Sequence, residues 1–190
     1  MSYQVPVGLS NKHLHLSAED LETLFGKGYE LTPTKPLKQP GQFACEEKVD
    51  IVGPKKTLKN VRILGPIRPE TQVELALTDA RTIGLTVPVK ESGKLAGTPG
   101  IKLVGPAGEV ELDHGVIAAL RHVHLSPDQA KEAGVVDKQI VSIKVGGERG
   151  LIFHNVLVRS GESHEAEAHF DTDEGNAAGL ANNDMVEILK

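Results

Sequence analysis

No tryptophan occurs in this chain, and aromatic residues make up only 3% of it. Any core must therefore rest on valine, leucine, isoleucine and alanine. The one cysteine, Cys45, excludes an internal disulfide and fits a reducing compartment. Between Met1 and Gly8 there is no charged segment leading into an apolar stretch, so no signal peptide is legible. No apolar run is long enough to span a membrane. A basic surplus is missing too: the net charge of −5 argues against nucleic acid as a partner. Glycine (20) and proline (11) are plentiful, which favours many turns and short strands over long helices. With 190 residues, 39% of them hydrophobic, the chain can bury the core of one domain or two small ones.

Charge is unevenly placed. Residues 1–100 carry a net +2 and residues 101–190 a net −7. The basic surplus gathers in Lys48, Lys55, Lys56, Lys59, Arg62 and Arg68. Such a cluster suits either a polyanionic small ligand or a solvated loop.

One short phrase appears twice: His13-Leu14-His15-Leu16-Ser17 and His122-Val123-His124-Leu125-Ser126. In a strand, residues i and i+2 share a face, so each phrase aims two imidazoles at one point. Imidazole is a frequent ligand of zinc, copper, nickel and iron. The repetition predicts a metal site assembled from two related halves. The bland alternative is a duplicated structural unit without metal.

Each histidine pair leads into a helix start. Ser17 and Ser126 read as N-caps, with Gln129 completing a capping box and Pro127 at the first helical position. Gly26 and Gly134 are the expected stops. Further echoes follow. Thr78-Asp79 runs to Gly84-Leu85 as Thr172-Asp173 runs to Gly179-Leu180, and the segment after Gly134 resembles that after Gly179. Alternating stretches at 61–64, 72–77, 101–104, 110–112, 140–145 and 151–158 have the lengths of strands in small antiparallel barrels or sandwiches. The predicted fold is mainly β: two related small β-barrels with short capping α-helices and a metal site between them. Residues 1–95 form the first half and 96–190 the second, with strands free to exchange. Residues 90–100 are the expected linker, and residues 27–41 an ordered loop.

Equivalent halves should supply matching ligands. Glu74 follows the first pair, on the face shared with Gln72 and Ala76, and His169 follows the second. His13, His15, Glu74, His122, His124 and His169 are too many for one tetrahedral zinc and suit two ions with open positions for water. Taken singly, Glu74 also reads as a surface carboxylate and His169 as a solvent or core histidine. Arg68, in the turn Gly65-Pro66-Ile67-Arg68-Pro69, carries a fork that matches phosphate, although alone it reads as soluble surface. No Walker A, Gly-x-Gly-x-x-Gly, Gly-x-Ser-x-Gly or His-Glu-x-x-His motif occurs. Cys45 reads as a small buried hydrophobe rather than a nucleophile. His114, His154 and His164 are expected to be surface or loop residues.

These phrases together resemble the PduL-type phosphotransacylases, also called phosphate propanoyltransferases. The resemblance rests on the segments 11–17, 65–74, 121–126 and 169–177, in that order. It implies two β-barrels with a dinuclear zinc site, its ligands His13, His15, Glu74, His122, His124 and His169, and Arg68 on phosphate. The implied reaction converts a short-chain acyl-CoA plus phosphate into acyl phosphate plus coenzyme A. Direct phosphate attack in a ternary complex is expected. The rival readings are a dinuclear thioesterase or phosphoesterase and a non-catalytic metal-binding barrel. Gly175 departs from the family, where an alanine is more usual. The twelve residues before His13 lack the amphipathic extension that addresses members to bacterial microcompartments, which points to the cytoplasm. Neither nucleic acid nor membrane is an expected partner, and the sequence is compatible with a homo-oligomer.

Overall fold

Residues 3–190 are described by a computed structural model. It is mainly β and divides into two compact units. One holds the described residues up to Asn11, Lys38–Pro40 and Leu120–Lys190; the other holds Lys12–Leu37 and Gly41–Ala119. Along the chain the units interleave, changing at 11/12, 37/38, 40/41 and 119/120; the sequence suggested halves of 1–95 and 96–190 with strands free to exchange. No helix among the described residues is long and apolar enough to cross a membrane.

The first of these units is a closed barrel of six strands. They are β1 (Tyr3–Ser10), β11 (His122–Leu125), β12 (Ile140–Val145), β13 (Leu151–Ser160), β14 (Glu167–Asp171) and β15 (Met185–Leu189), in the order β1-β14-β11-β13-β12-β15. β1 is exchanged from the start of the chain. It runs parallel to β14 (Val7 opposite Ala168) and antiparallel to β15 (Val5 opposite Val186). α3 (Pro127–Ala133) and α4 (Thr172–Ala178) cap this barrel. Its core is Val5, Val123, Leu125, Ile143, Val156, Phe170 and their neighbours. With two phenylalanines at most, small branched side chains fill the interior, each contributing roughly 1.5–3 kcal/mol when fully buried.

The other unit is a nine-stranded sheet. It contains β2 (His13–His15), β3 (Pro33–Pro36), β4 (Phe43–Val52), β5 (Thr57–Gly65), β6 (Gln72–Glu74), β7 (Val89–Lys90), β8 (Ile101–Val104), β9 (Glu109–Leu112) and β10 (Val116–Ala119). Their order is β7-β10-β6-β2-β5-β4-β8-β9, with β3 on β4. α1 (Ala18–Phe25) and α2 (Leu77–Ile83) complete it. Leu14, Leu16, Leu24, Ile51, Ile63 and Leu103 lie at its centre. The expected linker is ordered here. Leu95 is buried, Gly93 N–H donates to Gln72 Oε1 (2.7 Å), and Thr98 Oγ1 accepts from Gly115 N–H (2.8 Å). Residues 96–119 stay in this unit because β8 pairs with β4 and β10 with β6.

Pairing is mixed rather than purely antiparallel. β2 runs parallel to β5, and β11 runs parallel to β13. Parallel neighbours require a crossover, and here each crossover contains a helix, α1 in one and α3 in the other. Ser17 Oγ accepts from Asp20 N–H and Ser126 completes the capping box with Gln129, as the sequence predicted. The other two helices have Ala76 and Asp171 as N-caps and end at Gly84 and Gly179, the glycines that follow the Thr-Asp phrases. Anchored on strands, the repeat is in register. Ala76 and Asp171 each lie two residues beyond Glu74 and His169, and left-handed Gly84 and Gly179 each lie ten beyond. Asn60 and Asn155, both with positive φ, each stand two residues before the partner of the first histidine, Arg62 opposite His13 and Leu157 opposite His122. The Thr-Asp echo is one residue out of this register.

Candidate active site

β2 and β6 pair antiparallel with His13 opposite Glu74 and His15 opposite Gln72. Leu14 and Val73 point into the core, so these four polar side chains share the other face. Donor atoms of His13, His15 and Glu74 lie within 4.8 Å of one another. His13 Nε2 is 3.4 Å from Glu74 Oε2. A tetrahedral ion bonded at about 2.0–2.1 Å holds neighbouring donors roughly 3.3–3.4 Å apart, so this spacing suits one. His15 is buried, and its Nδ1 has no hydrogen-bond partner. An orphan of that kind costs about 1–3 kcal/mol unless a ligand satisfies it.

Burial lowers the His15 pKa to about 3, helped by the charges of Arg68 and His13. The ring is therefore neutral at pH 7, the form that ligates. Burial pushes the Glu74 carboxyl up, but His13, His15 and Arg68 outweigh it and hold the group well below the usual carboxylate range. Gln72 Nε2 donates to Glu74 Oε1 (2.5 Å) and to Ser92 Oγ (2.8 Å). Arg68 sits beside this set. Its backbone N–H donates to Leu16 O (2.9 Å), and its Nη1 donates to Ser92 Oγ (3.2 Å). Lys48, Arg62, His13 and Glu74 form one row across β4, β5, β2 and β6. Part of the basic surplus thus leads along the sheet toward the histidines.

The barrel repeats the arrangement. β11 and β14 pair antiparallel with His122 opposite His169 and His124 opposite Glu167. The three imidazole centroids are 4.8, 4.9 and 5.0 Å apart, and their donor atoms converge within 4.8 Å. His122 Nδ1 lies 2.9 Å from Leu120 O. His124 Nδ1 lies 3.0 Å from His164 Nδ1. His164 was expected to be a loop residue; the loop after β13 folds it back onto the triad. Burial, then the neighbouring His122 and His169, pushes the His124 pKa far below its ordinary value. His169 Nε2 is buried without a hydrogen bond of proper angle, although Glu167 Oε2 is only 2.9 Å away. Each triad thus holds one imidazole kept neutral, His15 or His124, and the first adds the orphan Nδ1 of His15, a combination that fits a divalent ion.

A sequence profile described as phosphate propanoyltransferase matches residues 6–181. The chain is 56% identical to the phosphate propanoyltransferase of Thermotoga maritima over 185 residues, covering 97% of this chain and 88% of that one. Identity to the Salmonella typhimurium protein of that name is 52% over 179 residues, 94% and 85% of the two chains. For the Clostridioides difficile protein it is 50% over 186 residues, 98% and 89%. The chain belongs to the phosphate propanoyltransferase family. That is a family of phosphotransacylase enzymes, and the matched segment spans both triads and Arg68.

Cys45 is fully buried, and burial, with the Glu47 charge, raises its thiol to about 11. His114 is half-buried in the bend before β10 and His154 is exposed on β13, in line with the expectation of surface or loop positions. His114 pairs with Asp113 and Glu70, and His154 Nδ1 meets Ser142 Oγ at 2.9 Å. Ser92, Gln72, His164 and Glu167 carry no motif. For Gln72 and Glu167 the signal was available: each stands two residues before a proposed ligand, on the same face of its strand.

Proposed function

We propose that this chain interconverts a short-chain acyl-CoA plus phosphate with acyl phosphate plus coenzyme A, acetyl or propanoyl being the acyl group. His13, His15 and Glu74 would hold one divalent ion, and His122, His124 and His169 a second, with zinc as the expected metal. The observation that carries the reading is a phosphate-binding type of side chain, Arg68, beside a convergent His-His-Glu set in a member of this family. When bound, the ions supply Lewis acidity toward the thioester carbonyl and the phosphate.

The chain's own residues do the remaining work. Arg68 presents a planar fork that binds two phosphate oxygens, and Ser92 fixes the direction of that fork. Lys48 and Arg62 supply positive charge for the phosphates of coenzyme A. A phosphate oxygen forms a bond to the acyl carbon, the C–S bond breaks, and the sulfur leaves with the electron pair and takes a proton. Orienting both substrates contributes several kcal/mol, roughly up to the 7–11 available from positioning alone. An acyl-cysteine route has no support, because the Cys45 thiol is buried and protonated at pH 7.

The testing assay measures thiol release from acetyl-CoA and propanoyl-CoA, with and without phosphate, alongside metal content per chain. Two ions and phosphate-dependent release are expected. Arsenate should drive net release, because acyl arsenates hydrolyse. Release at full rate with neither anion would instead identify a thioesterase.

A further inference from the structure

Glu167 belongs to no convergent donor set, yet its carboxylate is built into the three-histidine site. It stands opposite His124 across the β11–β14 ladder and two residues before His169 on the same face. Oε2 lies 2.9 Å from His169 Nε2 and accepts from Gln39 Nε2 at 3.3 Å. The other side of the carboxylate packs on the bare backbone of Gly8, which is paired with His169 on β1. A Cβ at Gly8 would come within 2.8 Å of Glu167 Cδ and Oε1. Only 12% of the Glu167 side chain is exposed. A largely buried carboxylate held on three sides is costly unless its charge is used.

The other unit shows what the position is for. Gln72 occupies the same place relative to Glu74 as Glu167 does relative to His169, opposite the second histidine of the pair. There the third ligand is a carboxylate and its neighbour an amide donor. In the barrel the third ligand is an imidazole and its neighbour a carboxylate. The two chemistries have been swapped, so that each site keeps one anionic group.

We infer that Glu167 is the positioning and charge-balancing residue of the three-histidine site, acting through His169 rather than as a ligand. The inference rests on the reading that this triad holds a divalent ion. A carboxylate beside a ligating imidazole fixes the ring and raises its basicity, typically worth about 10–100-fold in metal affinity.

The test strips the full-length protein of metal and titrates it with Co²⁺ and Zn²⁺ against a chelator, with His122→Ala marking which uptake event belongs to this site. Glu167→Gln keeps the volume and removes the charge. It should weaken that event alone by about 10-fold or more, with the melting temperature of the metal-free protein unchanged. Gly8→Ala keeps the charge but displaces the carboxylate, and should weaken the same event. Wild-type affinity in Glu167→Gln overturns the inference while leaving the metal reading intact. A loss in Glu167→Ala as complete as in His169→Ala also overturns it, because Glu167 would then be a ligand. No uptake by the wild-type chain sinks both readings together.

Discussion

Arg68 and Cys45 show how much a single side chain's surroundings decide. Arg68 is fixed by its backbone bond to Leu16 and by Ser92, and its charge reaches His15 and Glu74. Arg68→Ala should retain metal and fold while losing phosphate-dependent thiol release, chiefly by raising the KM for phosphate. Arg68→Lys should recover little, since an ammonium cannot reproduce the fork; wild-type kinetics for Arg68→Lys at low phosphate would refute the bidentate role. Cys45→Ser should keep substantial turnover and lose some stability, because a hydroxyl enters an apolar site. An acylated Cys45, trapped by mass spectrometry at a rate matching turnover, would reverse that conclusion. His122→Ala and His124→Ala should lower metal content and turnover together. Metal-free yet fully active protein, by elemental analysis, would count decisively against the proposed centres.

Short elements carry the site, and their ends matter most. α4 begins with a reciprocal capping box between Asp171 and Glu174, two residues beyond His169. Asp171→Ala should cost about 1 kcal/mol by urea denaturation. Within that helix, a Cβ on Gly175 would meet the Leu9 methyls at 2.7 and 3.2 Å. Those are the far end of a flexible side chain, which can turn aside. Gly175→Ala should therefore raise stability by up to about 1 kcal/mol through helix propensity. A lowered urea midpoint would mean that Leu9 cannot yield. Much of this level was legible in the sequence. Strands 101–104 and 140–145 and the caps at Ser17 and Ser126 follow from alternation and hydroxyl placement. β1 and β4 escaped because Pro6, Gly8 and the charged Glu46-Glu47-Lys48 run blur their alternation. His164 was illegible, since its role comes from a loop folding back across 40 positions to His124. The parallel pairings were hidden for the same reason: local pattern names a strand but not its partner.

At the scale of the molecule, two units of like plan each bury histidines in neutral form. Burial depresses the folded-state pKa of His15 to about 3, whereas an unfolded histidine titrates near about 6.5. Below about pH 6.5 the unfolded chain takes up a proton that the folded chain refuses until pH about 3. Stability is thus complete above pH 6.5 and falls through that window, by about 1.4 kcal/mol per pH unit for each such ring. His124 shifts in the same direction. Metal-free protein should show a flat melting temperature above pH 7 and a steep fall between pH 6.5 and 5. A melting temperature unchanged across that fall would contradict the neutral-histidine assignment. Finally, the barrel is closed by strands from opposite ends of the chain, with Tyr3–Ser10 held between β14 and β15. On the ribosome this imposes an order of events. Residues 12–37 and 41–119 hold every strand of their own sheet and can pair as soon as they emerge, whereas Tyr3–Ser10 must wait for Glu167–Asp171 and Met185–Leu189. Until Glu167–Asp171 is released, Tyr3–Ser10 has neither of its strand neighbours, and until Met185–Leu189 follows, one of its edges stays open to partners from other nascent chains. Translation that stalls after residue 160 is therefore the point at which this protein is most exposed to aggregation.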